Sequence, residues 1–268
     1  AVEYLQLQQA RVLPEALYIQ VLPEVAPEFA LLAELARGEL HARRQASQRL
    51  AALAKQKPLR PLAVERLSAV VQSEQDVLVW CAALDAIDND ASPAAVRLAY
   101  AGLSHPLPEV RRRACQYLAA HPDPRHAPQL LSALNDRSHS VVVAAVRALG
   151  MLSRLDDASA VRQLSGASNE EIRLEAAIAL VRLGDLAGPA ALERLSYSED
   201  PIVQARVAQV MGEHPDPAYL EPLIRMLDGR PNVRRAALES LPKVAGGDVV
   251  QRAGPPVPTT EQVQRWKQ

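Results

Sequence analysis

The sequence predicts an all-α fold, an α-solenoid of about seven two-helix repeats, and three observations lead to that prediction. A Val/Ile-x-x-x-Ala-x-x-x-Leu pattern returns about every 31 residues along the chain. Two segments 93 positions apart, 108–124 and 201–217, share the same order of proline, apolar residue and closing His-Pro-Asp-Pro. Only 3% of the residues are aromatic. The core must therefore use Ala, Leu and Val, which suits closely stacked helices.

Each repeat contains one apolar residue, here called its anchor, that opens the second helix of the pair. Residues four and eight positions after an anchor lie on the same stripe of a helix. The first of these is mostly small and the second mostly Leu or Met, so we expect a continuous apolar spine. Cys81 and Cys115 fall on or beside the small position, which predicts buried free thiols. The anchors are Ala42, Val77, Val110, Val141, Ile172, Val203 and Val233.

Local signals mark where the helices begin and end. Ser92-Pro93 and Asp200-Pro201 place proline at a helix start, where its missing N–H costs nothing. Ser168, followed three residues later by Glu171, is typical of a capping box. The His-Pro-Asp-Pro segments and Gly184 are expected to close helices.

Composition divides the chain into three parts and limits its partners. We expect a helical lead-in at 1–28, the repeat solenoid at 29–245, and a Pro-rich linker with a truncated helix at 246–268. The net charge of −1 provides no general attraction to nucleic acid or anionic membranes. No apolar run reaches the roughly 18 residues of a membrane span. The sequence does not indicate the oligomeric state or the compartment, although a cytoplasmic one is slightly favoured.

Three segments open second helices with an anchor, an arginine and a small residue four positions after the anchor. They are Val110-Arg111-Arg112-Arg113-Ala114, Ile172-Arg173-Leu174-Glu175-Ala176 and Val233-Arg234-Arg235-Ala236-Ala237. These segments resemble HEAT repeats, and the short unit is most similar to the variant found in phycobilin lyases. The resemblance covers about residues 29–245. It implies a right-handed superhelix whose second helices line the concave surface. It also implies structural arginines after the anchors, paired with turn carboxylates of neighbouring repeats: Arg43, Arg111, Arg173 and Arg234.

Two classes of enzyme with similar repeat arrays need residues that can be looked for in this sequence. Resemblance to HEAT-type di-iron hydroxylases would require His-Glu pairs, and none of the six histidines is followed by Glu. His121 and His214 occupy equivalent turns, which favours a structural role over a zinc site. A HEAT-like alkylpurine DNA glycosylase would use aromatics and a carboxylate in a basic groove. Trp80 and Asp85 are the only candidate aromatic–carboxylate pair for that role.

No Gly-rich phosphate loop or Ser/His/Asp arrangement is present. We therefore expect a non-catalytic interaction scaffold with no cofactor and no metal. Two alternatives stay open. One is an enzyme or enzyme subunit similar to phycobilin lyases or glycosylases, and the other is a spacer domain of a larger protein.

The second helices of repeats four and five are apolar nearly all round. An amphipathic helix is polar opposite its core stripe, but here that side is apolar too. We predict a concave apolar groove that binds a protein or peptide, with Arg112 and Arg147 orienting the partner. Burial by neighbouring repeats, and covering by the chain's own tail with Val257 and Trp266, remain alternatives. The predicted groove consists of Val143, Val146, Leu174, Ile178 and Val181.

Overall fold

The computed structural model describes residues 27–152 and 155–245. This described part of the chain forms fourteen α helices and no strand. The helices are α1 (Pro27–Arg37), α2 (Leu40–Gln56), α3 (Pro61–Val71), α4 (Val77–Ala86), α5 (Pro93–Leu103), α6 (Pro108–Ala120), α7 (Ala127–Ala133), α8 (His139–Met151), α9 (Ala158–Gln163), α10 (Glu170–Arg182), α11 (Ala187–Leu195), α12 (Pro201–Glu213), α13 (Leu220–Met226) and α14 (Pro231–Ala245). Short 3₁₀ turns lie at Pro124–His126, Leu155–Asp157, Leu164–Gly166 and Pro217–Tyr219.

Consecutive helices pair into seven repeats, which confirms the all-α repeat fold. Two compact units divide the chain, Ala1–His121 (unit 1) and Pro122–Gln268 (unit 2). In unit 1, α2 contacts α4 and α4 contacts α6; in unit 2, α8, α10, α12 and α14 contact one another in succession. The predicted domain limits stay a prediction, since the lead-in before Pro27 and the tail at 246–268 lie outside the described residues.

The apolar spine is present in both units. Ala114 and Leu118 of unit 1 and Ala176 and Leu180 of unit 2 are fully buried, as the stripe requires. Repeat two departs from the pattern because Trp80 and Leu84 take the core positions of α4. Cys81 is consequently only partly buried, whereas Cys115 is fully buried; both are free thiols.

The helix starts follow the sequence signals except at one place. Ser92 and Asp200 cap α5 and α12 with their side chains, and proline follows each of them. The capping box at Ser168 is wrong, because the N-cap of α10 is Asn169, whose Oδ1 accepts the N–H of Ile172 at 3.1 Å. Gly184 closes α10 with a φ of 72°, a conformation that glycine adopts without a Cβ penalty.

The arginines that follow the anchors are structural, but most bind backbone rather than carboxylates. Arg111 donates to the carbonyls of His105 and Pro106, each at 2.8 Å. Arg43 follows the implied pattern, with a 2.7 Å bond to Glu74 of the next repeat. No helix within the described ranges is long and apolar enough to cross a membrane.

Candidate functional site

The structure buries the residues predicted to form an apolar groove. Val146 is completely buried and Leu174 is 8% exposed, with Val143 and Ile178 between them. Leu174 and Ile178 belong to the core cluster formed with α12, and Val181 packs against it. The expected open apolar groove is therefore wrong, since neighbouring repeats bury these side chains. Val257 and Trp266, the alternative cover, lie outside the described residues.

Two arginines were predicted to flank that groove. Arg147 lies on α8 in unit 2 and is exposed, whereas Arg112 lies on α6 in unit 1 and is partly exposed. Partner binding through the seven predicted residues stays a prediction.

A different feature opens beside the buried stripe. A cleft of about 570 Å³ lies along α10 and α12 and reaches the start of α14. Apolar atoms form most of its exposed surface, and four carboxylates, one guanidinium and two amide side chains lie along it. We call it the polar cleft; it is lined by Glu170, Glu171, Leu174, Glu175, Asp200, Ile202, Val203, Ala205, Arg206, Gln209 and Asn232.

Most of the charged groups in the polar cleft are held in place. Glu175 is nearly buried and accepts hydrogen bonds from Arg147 of the preceding repeat. The hydrogen bonds that Arg147 donates to Glu175 raise the pKa of the Arg147 guanidinium. Asp200 uses one carboxylate oxygen to cap α12 through the N–H of Ile202, at 2.7 Å. A single ion pair therefore ties the cleft to α8.

Two charged side chains remain more available. Arg206 bonds to Glu213 at 3.1 Å and to Gln209 at 3.3 Å, and both bonds use one of its terminal nitrogens. Glu171 is exposed and makes no hydrogen bond with another described residue. Ile202 adds a large apolar side chain that is 73% exposed. The cleft thus combines an acidic group, a cation and an apolar surface.

Trp80 and Asp85, the candidate pair for a DNA glycosylase, make structural contacts. Trp80 is buried, donates from its indole nitrogen to the carbonyl of Glu74 at 2.9 Å and packs on His105 at 5.1 Å. Burial lowers the pKa of His105. Asp85 accepts from Arg113 at 2.5 Å. Neither residue lines the polar cleft.

The histidines also have structural contacts. His121 packs against the ring of Tyr117 and its Nε2 lies 2.9 Å from the carbonyl of Asp88. His139 contacts the Asn169 side chain at 3.2 Å. Within 27–152 and 155–245, no three His, Cys, Asp or Glu side chains come together as a metal site.

The sequence did not single out Asp200, Ile202 or Arg206 as site residues. The predicted groove used side chains opposite the core stripe of the second helices in repeats four and five. The polar cleft lies instead at the first turn of α10 and along α12. One signal was present: Ile202 is a large apolar residue in the exposed first turn of a helix, two residues after an acidic cap.

Comparison with known proteins identifies the fold. Models of HEAT repeats match residues 64–150, 96–181 and 188–253, more than half of the chain. The solved complex of CpcE and CpcF of phycocyanin lyase from Nostoc sp. PCC7120 is 20% identical over 92% of this chain and 94% of that chain, with a TM-score of 0.56. The structure of human deoxyhypusine hydroxylase in complex with glycerol is 19% identical over 90% of this chain and 93% of that chain, with a TM-score of 0.41. The structure of an engineered protein is 21% identical over 90% of this chain and 73% of that chain, with a TM-score of 0.48. No curated protein sequence matches this chain.

These comparisons correct the expectation of a non-catalytic protein. That expectation treated a repeat array without a known catalytic motif as a scaffold, yet a similar array forms a phycocyanin lyase. The fold thus gives no argument against an enzyme. The matched repeats, the seven helix pairs and the apolar spine agree, and the chain belongs to the HEAT-repeat family.

Proposed function

We propose that this chain is an enzyme subunit of the phycobilin-lyase type and that its polar cleft binds an open-chain tetrapyrrole. The likeness to the phycocyanin lyase structure extends over nearly the whole of both chains. That likeness supports the proposal through the fold. The lining of the cleft supports it through chemistry, and the two arguments are independent.

The observation that carries the proposal is that five ionisable side chains line one cleft of unit 2 together with apolar residues. A docking strip for a peptide would expose Leu and Val side chains, but Leu174 and Val203 are buried at the base of the cleft. Small-molecule sites typically combine an apolar floor with a few converging polar groups. The polar cleft has this composition.

An open-chain tetrapyrrole has pyrrole N–H donors along its centre and two propionates at its edge. An ionised carboxylate accepts hydrogen bonds and donates none, and Glu171 offers an exposed carboxylate for the pyrrole N–H groups. A guanidinium binds a carboxylate through two parallel hydrogen bonds. Arg206 supplies that group for a propionate. Ile202 offers apolar contact to the edge of a ring.

Glu175 has a positioning role in this proposal. Its two oxygens are both engaged by Arg147, so the carboxylate cannot rotate away from the cleft. The pair also places negative charge beside Leu174 without leaving it unpaired in a buried position. Glu171, the next carboxylate along α10, makes no hydrogen bond with another described residue and is available to a ligand.

The similar lyase is a complex of CpcE with CpcF. By extension, we propose that this chain acts with a second protein subunit. A second subunit would complete the site on the open side of the polar cleft.

Titration of the full chain with phycocyanobilin tests the proposal. We expect saturable changes in the visible absorption of the bilin and an increase in its fluorescence as the molecule becomes less mobile. Replacing Glu171 by Gln should weaken binding about 10-fold, the loss of one charged hydrogen bond of about 1.4 kcal/mol.

Glu239→Gln is the matched control, because Glu239 is exposed on α14 and does not line the polar cleft. It should leave binding unchanged. Absence of any saturable spectral change with the unmodified chain, or equal affinities for the two variants, would contradict the proposal. Circular dichroism should confirm that both variants keep the helical fold.

A further inference from the structure

A second cavity in unit 2 has no role in the proposed tetrapyrrole site. It measures about 390 Å³ and lies where the end of the first helix of repeat five meets the first helix of repeat six. Glu170 is the one residue that lines both this cavity and the polar cleft. We call it the turn cavity; it is lined by Ser165, Glu170, Arg173, Ala191, Arg194, Leu195, Tyr197 and Ser198.

Two hydroxyl groups in the turn cavity have no acceptor among the described residues. The Oγ of Ser165 is buried and has no hydrogen-bond partner within 27–152 and 155–245. A buried hydroxyl in this state costs free energy unless a bound group satisfies it. The Oγ of Ser198 accepts the N–H of Asp200 at 3.1 Å, which leaves its own proton to donate. Two hydroxyl donors are therefore available to a ligand.

The charge of the cavity favours an anion. Arg194 is exposed and makes no hydrogen bond or ion pair with another described residue. Arg173 is committed to the carbonyls of Ala167 and Ser168, at 2.8 Å each, and to Glu170 at 3.2 Å. Because Arg173 offsets Glu170, the charge that remains uncompensated is that of Arg194.

An aromatic ring forms another part of the wall. The guanidinium of Arg225 covers one face of Tyr197, 3.7 Å from the ring centroid, and donates to its hydroxyl at 2.6 Å. Tyr197 is nevertheless 62% exposed, so the ring retains surface for a ligand. Planar groups stack on such a ring, and the cation on its other face fixes its orientation.

We infer that the turn cavity binds a phosphate monoester that carries a planar ring, as a nucleoside monophosphate does. Arg194, Ser165 and Ser198 donate to the three terminal phosphate oxygens, and the planar ring lies against Tyr197. A phosphate monoester presents three acceptor oxygens, one for each of these donors. This site is independent of the tetrapyrrole proposal and shares no test with it.

Isothermal titration of the full chain with AMP tests the inference. We expect one saturable site, with inorganic phosphate and adenosine each binding at least 10-fold more weakly than AMP. Adenosine binding as tightly as AMP would overturn the phosphate contacts, and inorganic phosphate binding as tightly would overturn the ring contact. Lack of AMP binding would overturn the site as a whole.

Arg194→Ala should weaken AMP binding at least 10-fold. Arg235→Ala is the matched control, because Arg235 is an exposed arginine of unit 2 that does not line the turn cavity. It should leave the affinity unchanged. Equal effects of the two substitutions would show that only general positive charge matters and would overturn the assignment.

Ser165→Ala gives a second readout that a purely structural serine would not give. Removing the unsatisfied hydroxyl should raise the thermal midpoint of the free protein, and it should also weaken AMP binding several-fold. A lower midpoint, or an unchanged affinity, would contradict the role of Ser165. Because the two effects have opposite signs, a folding defect cannot be mistaken for loss of the site.

Discussion

At the scale of single residues, the arginine after an anchor closes the turn between the two helices of its own repeat. Arg173 donates to the carbonyls of Ala167 and Ser168, and Arg234 donates to that of Leu227 at 2.9 Å. Carbonyls at the end of a helix and in the turn that follows have no partner within the helix. A guanidinium with five donors can reach two of them at once. In repeat six the residue after the anchor is Gln204, whose side-chain amide donates a longer hydrogen bond, 3.3 Å, to the carbonyl of Ser196.

Replacing Arg234 by Ala should therefore destabilise unit 2 by about 1 kcal/mol, the typical net value of such hydrogen bonds. Urea unfolding followed by circular dichroism measures the change. Arg235→Ala removes the same charge from the next position, where the side chain has no partner among the described residues, and should cost less than about 0.5 kcal/mol. Equal losses for the two variants would show that charge, rather than turn closure, is responsible.

Asp185 provides a dependence on pH. Its carboxylate accepts from Arg162 at 2.5 and 3.3 Å and from the N–H of Ala187 at 2.9 Å. The hydrogen bond from Arg162 lowers the pKa of Asp185. A carboxyl group whose pKa is lower in the folded state stabilises the protein above its unfolded pKa, about 3.9. That stabilisation is lost as the pH falls through the folded-state value.

Asp185→Asn should accordingly lower the free energy of unfolding at pH 7, and its difference from the unmodified protein should shrink as the pH falls below about 3.9. Urea unfolding at a series of pH values from 7 to 3 gives this difference. Glu239→Gln should leave the free energy of unfolding at pH 7 unchanged. A difference for Asp185→Asn that stays constant across the series would refute the assignment.

The sequence indicated which arginines are structural but not what they bind. The identity of an acceptor depends on the path of the turn, and several acceptors lie within reach of a long side chain. Arg43 reaches Glu74 of the next repeat, whereas Arg111 reaches two carbonyls of its own turn. Spacing along the chain places the guanidinium near the turn, but the three-dimensional path of the turn determines which acceptor it binds.

At the scale of helices, the distance between second helices in unit 2 depends on glycine. A Cβ atom at Gly212 would lie 2.9 Å from the Cα of Ser240 and 2.7 Å from its Cβ, so α12 and α14 could not stay in their present contact. Gly150 has a similar place between α8 and α10, with Ala179 at 3.0 Å. Small residues at these positions let neighbouring repeats bury the stripe that includes Ile178.

Gly212→Ala should therefore destabilise the protein by about 1–3 kcal/mol, the usual cost of overpacking, despite the better helix propensity of alanine. Chemical unfolding of the variant measures this cost. Gly166→Ala is the control, because a Cβ there meets nothing within 4 Å. A stability equal to or above that of the unmodified protein at Gly212 would show that α14 moves away without loss.

The same close packing explains why the predicted groove was wrong. Hydrophobic periodicity shows that a helix is apolar on two sides, but it does not give the distance to the next helix. Val146 and Ile178 could face solvent or a neighbour with an identical pattern. Glycine and alanine at the contact points of the helices decide between these possibilities. The polar cleft could not be predicted for the same reason, since it is the space left between α10 and α12.

At the scale of the whole molecule, the regular period predicts the fold class because every repeat applies the same rule. Repeat two shows the limit of this argument, since Trp80 and Leu84 replace the expected pair on α4. Stability in a repeat array is approximately a sum of repeat terms and nearest-neighbour contacts. A defect in one repeat should therefore affect its neighbours strongly and distant repeats weakly.

Trp80→Ala tests this locality in unit 1. The indole is buried, bonded to the carbonyl of Glu74 and packed on His105, so its loss should cost about 3–5 kcal/mol. Amide hydrogen exchange should become faster in α3–α6, whereas α12 and α14 of unit 2 should keep their protection. Leu78→Ala removes a half-exposed side chain from the same helix and should change exchange little. If Trp80→Ala speeds exchange equally in every helix, the array unfolds as a single cooperative body and the nearest-neighbour description does not apply to this protein.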